Sequence, residues 1–180
     1  MRKQVCLAVV AVLVVLVAAC SESPTGPGRL SVAVTGVRSS PAGSAGWRDA
    51  PAVDAILVKV QKVRAHSSAA GWVEGSDTPF ELDLLALATA SQQLGLAKLP
   101  AGKVTQLRLV LARTGNRIVA GGQEFPLFVP GGDESGIKIH GPWEVVACGE
   151  TAIVLSLDHV KSIWYHPTGC GFPWILRPVI

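Results

Sequence analysis

The side chains with the widest chemical reach are four cysteines, four histidines and five tryptophans, beside a single tyrosine. Ser156, Asp158 and His159 lie close together and contain the parts of a Ser-His-Asp site. Neighbouring residues on a strand point to opposite faces, and no GxSxG turn is present to expose a nucleophile. His66, His140, His159 and His166 therefore read as surface or turn residues, and no catalytic group is expected. Asp133 and Glu134, with Asp77 elsewhere, offer oxygen ligands without the D-x-D-x-D-G spacing of a calcium loop. A solvated acidic turn is expected there, with no metal and no cofactor. Indole rings stack on sugars and anchor protein interfaces. Trp47, in a Gly/Ser/Ala-rich stretch, is the best candidate for an exposed ligand contact. Trp72, which closes a hairpin, is the second, while Trp143, Trp164 and Trp174 are expected to fill the core.

The cysteines separate by position. Arg2 and Lys3 precede an unbroken apolar run from Val5 to Ala19. A bilayer-spanning helix needs about 20 such residues, so this shorter run fits the core of an export signal over residues 1–19. It contains Cys6 and ends in Val17-Ala18-Ala19-Cys20. That tetrapeptide resembles the lipobox of bacterial lipoproteins: an aliphatic residue, two small residues, then cysteine. Small residues let a peptidase reach the backbone, and the thiol can carry a thioether-linked diacylglycerol. The resemblance implies cleavage before Cys20, acylation of the new amino group, and attachment to a membrane through the N-terminal lipid. Several acyl chains anchor stably where one is marginal. Ser21 stands where an Asp is the usual inner-membrane retention signal in enteric bacteria, so an outer-membrane destination is expected in a host with two membranes. Residues 20–29 are polar and rich in Pro, Gly and Ser, the composition of a tether.

Cys148 and Cys170 remain. An exported chain lies in a compartment that permits disulfides, and the even count points to a Cys148–Cys170 bond. Closing that loop would contribute roughly 3 kcal/mol in the chain-entropy model. Two buried free thiols are the alternative.

The formal charge of +3 falls to +1 once Arg2 and Lys3 leave with the signal, which carries no acidic residue. No basic stripe remains along the chain, so nucleic acid is not an expected partner.

A period of two, the mark of half-buried strands, runs through most of residues 30–180. It is clear at Leu30–Val34, at Ala55–Val63 with Ile56, Val58 and Val60 on one face, and at Lys103–Ala112. In the last segment Thr105, Leu107, Leu109 and Leu111 form the expected core face, opposite Val104. Ser67–Gly71 reads as a hairpin turn. Thr89–Leu96 reads as a helical turn or loop. Pro126 places Gln123–Val129 at a sheet edge. Ile137–His140, Trp143–Cys148 and Thr151–Asp158 read as three further strands. About nine short strands joined by Gly- and Pro-rich turns, with no βαβ alternation, indicate an all-β antiparallel sandwich, immunoglobulin-like or transthyretin-like.

Several segments carry a more specific likeness. They are Gly71-Trp72, Phe80–Leu87, Leu99-Pro100-Ala101-Gly102-Lys103-Val104-Thr105-Gln106-Leu107-Arg108-Leu109, Pro126–Pro130, Ser135-Gly136-Ile137-Lys138-Ile139 and Arg177–Ile180. In this order they resemble the bacterial and archaeal family described as domain of unknown function 4382. Val104 stands where that family commonly has Tyr, and Arg177 where it commonly has Lys. The resemblance implies a β-sandwich common on exported lipoproteins, with no assigned activity. The expectation is a non-catalytic, lipid-anchored domain that binds or scaffolds an envelope protein or a glycan at the cell envelope. A carbohydrate-binding module using exposed tryptophans is the alternative, and an envelope hydrolase is disfavoured.

Overall fold

A computed structural model of the chain describes residues 25–37, 47, 50–130, 136–167 and 173–178. Among them twelve strands follow in order: β1 (Gly28–Gly36), β2 (Val53–Ser67), β3 (Gly71–Ser76), β4 (Phe80–Asp83), β5 (Ser91–Leu99), β6 (Gly102–Leu111), β7 (Arg117–Ala120), β8 (Gln123–Phe128), β9 (Ile137–Val145), β10 (Glu150–Leu157), β11 (Ile163–Tyr165) and β12 (Trp174–Leu176). A short helix, α1 (His159–Ser162), and a 3-10 turn at Ala86–Ala88 join them.

The strands form two sheets packed as a sandwich. The small sheet has the order β10-β1-β5, and the large one β11-β12-β8-β7-β2-β6-β9, with β3 and β4 also paired to β2. Most pairs are antiparallel, as the alternation implies. Two are parallel, β1 with β10 and β8 with β12, so both sheets are mixed. The inward residues of the two sheets fill the core, including Leu30, Val32 and Val34 from β1 and Ile56, Val58 and Val60 from β2. A cavity of about 10 Å³ between the sheets, lined by Leu30, Val32, Ala65, Ala97 and Leu107 among others, has room for at most one water.

Bulges explain where simple alternation misplaces side chains. On β2 the buried set passes from Ile56, Val58 and Val60 to Val63 and Ala65, because the pairing with β6 shifts register between Val60 and Lys62. An extra residue in one strand reverses which face each later residue meets. On β6 a shift between Val104 and Gln106 does the same. Val104 is buried there and Thr105 exposed, the reverse of the expected assignment.

Three other expectations change. Thr89–Leu96 does not form a helical turn: Ser91–Leu99 is a strand paired antiparallel to β1. Leu94, Ala97 and Leu99 face the core, and the side-chain amide of Gln93 donates to Ser31 Oγ across the pair at 2.8 Å. β8, despite Pro126, lies between β7 and β12. β12 pairs only with Leu127 and Phe128, so it stops short of the proline and no ladder bond is lost on that side. Ile137–His140 and the start of Trp143–Cys148 are one continuous strand, β9.

Two glycines in the family-like segments have a physical reason. Gly102 ends the Leu99-Pro100-Ala101-Gly102 turn at φ +130°, outside the range of side-chain-bearing residues. Gly136 opens β9 against β6, where a Cβ would lie 2.6 Å from the Leu109 carbonyl carbon.

Candidate functional site

The first cluster of chemical groups surrounds α1. Asp158 caps the helix: its Oδ1 accepts from the Lys161 backbone N–H at 3.2 Å, and its Oδ2 pairs with Lys161 Nζ at 3.2 Å. Burial alone would raise this carboxyl. The bonds from Lys161, the attraction of its ammonium and the Val160 N–H outweigh burial and hold Asp158 below its ordinary value. His159 is buried, and burial lowers its pKa against the opposing pull of Asp158. Its Nδ1 has no hydrogen-bond partner among the described residues. Ser156 is exposed at the end of β10, one side chain on from buried Leu155 and before buried Leu157. A serine turned to solvent and a buried imidazole do not make a nucleophile and base.

Trp47 belongs to this cluster, which corrects the expectation that it is exposed. It is only 9 % exposed. Its indole N–H donates to the Val160 carbonyl at 2.8 Å, and its ring meets Trp174 edge-on at 5.9 Å and His159 at 6.5 Å. Trp174 is fully buried, as expected. Trp143 is half-buried and packs on the core. Trp164, expected in the core, is instead half-buried on the edge strand β11, with the Arg177 guanidinium 5.3 Å from its ring centre and His166 stacked at 6.2 Å. None of the five tryptophans is among the exposed residues, so a platform of open indole rings is not formed.

Trp72 sits on the outer face of the large sheet. It is opposite His66 on β2, whose ring meets it edge-on at 5.1 Å. Two guanidiniums lie over its ring, Arg108 at 4.6 Å and Arg64 at 5.3 Å. Arg64 Nε pairs with Glu74 at 2.8 Å. Arg108 Nε has no hydrogen-bond partner among the described residues. Cation–π contact with Trp72 favours this placement of the two guanidiniums, and each carries further N–H groups that can donate. This arrangement can receive an anion. The sequence does not reveal it because Arg108 lies far from Arg64 and Trp72 along the chain, and only the β3–β2–β6 register unites the three.

Cys148 is exposed, with a free thiol among the described residues and φ +55°. Its expected partner Cys170 lies outside the described residues, as do Cys20, Asp133 and Glu134. No group of His, Cys, Asp and Glu that could hold a metal occurs among the described residues, and no helix there is long and apolar enough to cross a membrane.

A family model described as a domain of unknown function (DUF4382) matches residues 30–178. No curated protein and no solved structure matches the chain.

Proposed function

This chain belongs to the DUF4382 family, and we propose that it is a lipid-anchored, non-catalytic binding domain of the cell envelope. The observation that carries the reading is Val17-Ala18-Ala19-Cys20 at the end of a short apolar run, with β1 opening at Gly28. The lipid-bearing residue is thus separated from the first strand by a short polar tether. Ser21 directs the anchor to the outer membrane where the host has two. The separation of exposed Ser156 from buried His159 supports binding over hydrolysis. A Cys148–Cys170 disulfide belongs to the same reading, since export exposes both thiols to an oxidising compartment.

Metabolic labelling tests the anchor. Labelled palmitate should enter the wild-type chain and not a Cys20→Ala variant, and equal labelling of both would sink the proposal. Thiol titration of the same protein, recovered without reductant, should find neither Cys148 nor Cys170 free.

A further inference from the structure

The two outer faces of the sandwich differ in charge. On the small sheet the outward residues of β1 are Arg29, Ser31, Ala33 and Thr35. Leu96 lies opposite Ser31, and Val154 opposite Ala33. Charge on this face is confined to the row at its tether end, where exposed Arg29 lies between exposed Lys98 and Glu150.

The outer face of the large sheet is basic. Val63, Ala65, Leu107, Leu109 and Ile137 point inward, so the residues between them point out. Arg64, Arg108 and Lys138 stand in one cross-strand row, and His66, Gln106 and His140 in the next. Lys62 is exposed one step further along β2. Glu74 is opposite Arg64 on β3 and offsets one of these charges. Side chains in register are about 5 Å apart. With Arg64 paired to Glu74, Arg108 and Lys138 remain as neighbouring cations that repel each other unless an anion lies over them, and Lys138 is exposed with nothing acidic opposite it.

This face adjoins the end where the tether enters. Gly28 pairs with Leu99, and Gly102 with Val145. The Arg29 N–H donates to the Gly149 carbonyl at 2.8 Å, and the Ser68 N–H to the Lys103 carbonyl at 2.9 Å. The hairpin at residues 67–71, the turn at 99–102 and the turn at 146–149 thus gather around the start of β1. Their tips are apolar and exposed at Ala69, Ala70, Ala101 and Val146. Trp72 follows directly after the hairpin.

The geometry points to a docking surface for an anionic lipid bilayer. The loop tips and Trp72 meet the headgroup boundary, and phosphate groups of acidic lipids lie over Arg64, Arg108 and Lys138. Small apolar tips with an amphipathic ring and flanking cations match the polarity gradient of that boundary. The inference rests on the anchored reading: an extended chain from Cys20 to Gly28 spans at most about 28 Å, which holds this end of the domain near the membrane. The rest of the small sheet's outer face, uncharged beyond the row of Arg29, Lys98 and Glu150, is then turned away.

The test uses the mature chain, residues 20–180, with Cys20→Ala so that no lipid contributes. It is co-sedimented with vesicles of phosphatidylglycerol and phosphatidylcholine, and with phosphatidylcholine alone. Binding is expected on the acidic vesicles only, and should fall as salt rises. Each charge removed should weaken it about five-fold. Lys138→Gln, at an exposed position, is the variant that leaves the fold intact, and Arg108→Gln is added once its thermal unfolding is shown to match. Equal sedimentation with both vesicles, or unchanged binding of Lys138→Gln, overturns the inference. So does binding to soluble polygalacturonate without binding to vesicles, which would make the occupant an acidic polymer. Palmitate labelling reports separately. Labelled wild type whose unlipidated form ignores acidic vesicles keeps the anchor and removes the docking face. Unlabelled wild type whose unlipidated form binds them does the reverse, because the face then reaches the membrane without a lipid.

Discussion

Asn116 shows how much one polar side chain can hold in place. It is buried, with Oδ1 accepting from the Lys59 N–H at 2.8 Å and Nδ2 donating to the Ala112 carbonyl at 2.7 Å. Thr114-Gly115-Asn116 has the composition of a tight turn, and nothing in it marks the partner on β2, which is remote along the chain. The burial of Trp47 is hidden in the sequence for the same reason. Its Gly/Ser/Ala-rich surroundings suggest a solvated loop, but the carbonyl that receives its N–H belongs to Val160 in α1. His159, in the same cluster, makes stability depend on pH. Burial lowers its pKa in the folded state, while the unfolded chain keeps the ordinary value near 6.5. Below that value the unfolded chain binds the extra proton, so folding stability is whole above pH 6.5 and is lost as pH falls towards the folded value. The urea midpoint should therefore drop between pH 7.5 and pH 5, and His159→Gln should flatten the drop. An equal slope in both proteins would show that the buried imidazole is not its source.

Strand alternation made most elements legible before any coordinates: β1, β2, β6 and β10 fall where the period of two places them. What it could not show were the bulges at Val60/Lys62 and Val104/Gln106. These depend on the partner strand as much as on the strand itself. β5 was hidden because Ser91-Gln92-Gln93 lacks an apolar partner set, and its extended shape comes from pairing with β1. The candidate site was hidden in the same way. No basic run exists along the chain, and the row of Arg64, Arg108 and Lys138 appears only when three strands are set in register. Gly136 is where this register is most sensitive. Gly136→Ala would press a methyl group on the Leu109 carbonyl at the β6–β9 seam, and overpacking of this kind costs about 1–3 kcal/mol. Urea unfolding should show that loss, and amide exchange should quicken along β9 more than along β1. Uniform quickening would place the strain elsewhere.

At the scale of the molecule, the first strand completes the small sheet. β1 pairs with β5 on one side and with β10 on the other, so residues 28–36 are bonded to residues 91–99 and 150–157. The small sheet cannot close until nearly the whole domain is present, and such non-local pairing is expected to fold slowly. Leu30, Val32 and Val34 are all buried. At about 1.5–3 kcal/mol for each such side chain, they contribute roughly 5–9 kcal/mol, against a total stability of about 5–15 kcal/mol for an ordinary domain. Thr25, Gly26 and Pro27, directly ahead of β1, lie in no strand and bring no buried apolar side chain. A chain beginning at Gly28 should therefore unfold cooperatively at nearly the same temperature as one beginning at Cys20. A chain beginning at Arg38, without β1, should show no cooperative transition by near-ultraviolet circular dichroism, because β5 and β10 would each lose their partner and the core its inward side chains. Limited proteolysis should cut the shorter chain throughout and leave the longer one intact. If the chain beginning at Arg38 melted cooperatively at the wild-type temperature, β1 would be an addition to the domain and not the strand that joins β5 to β10.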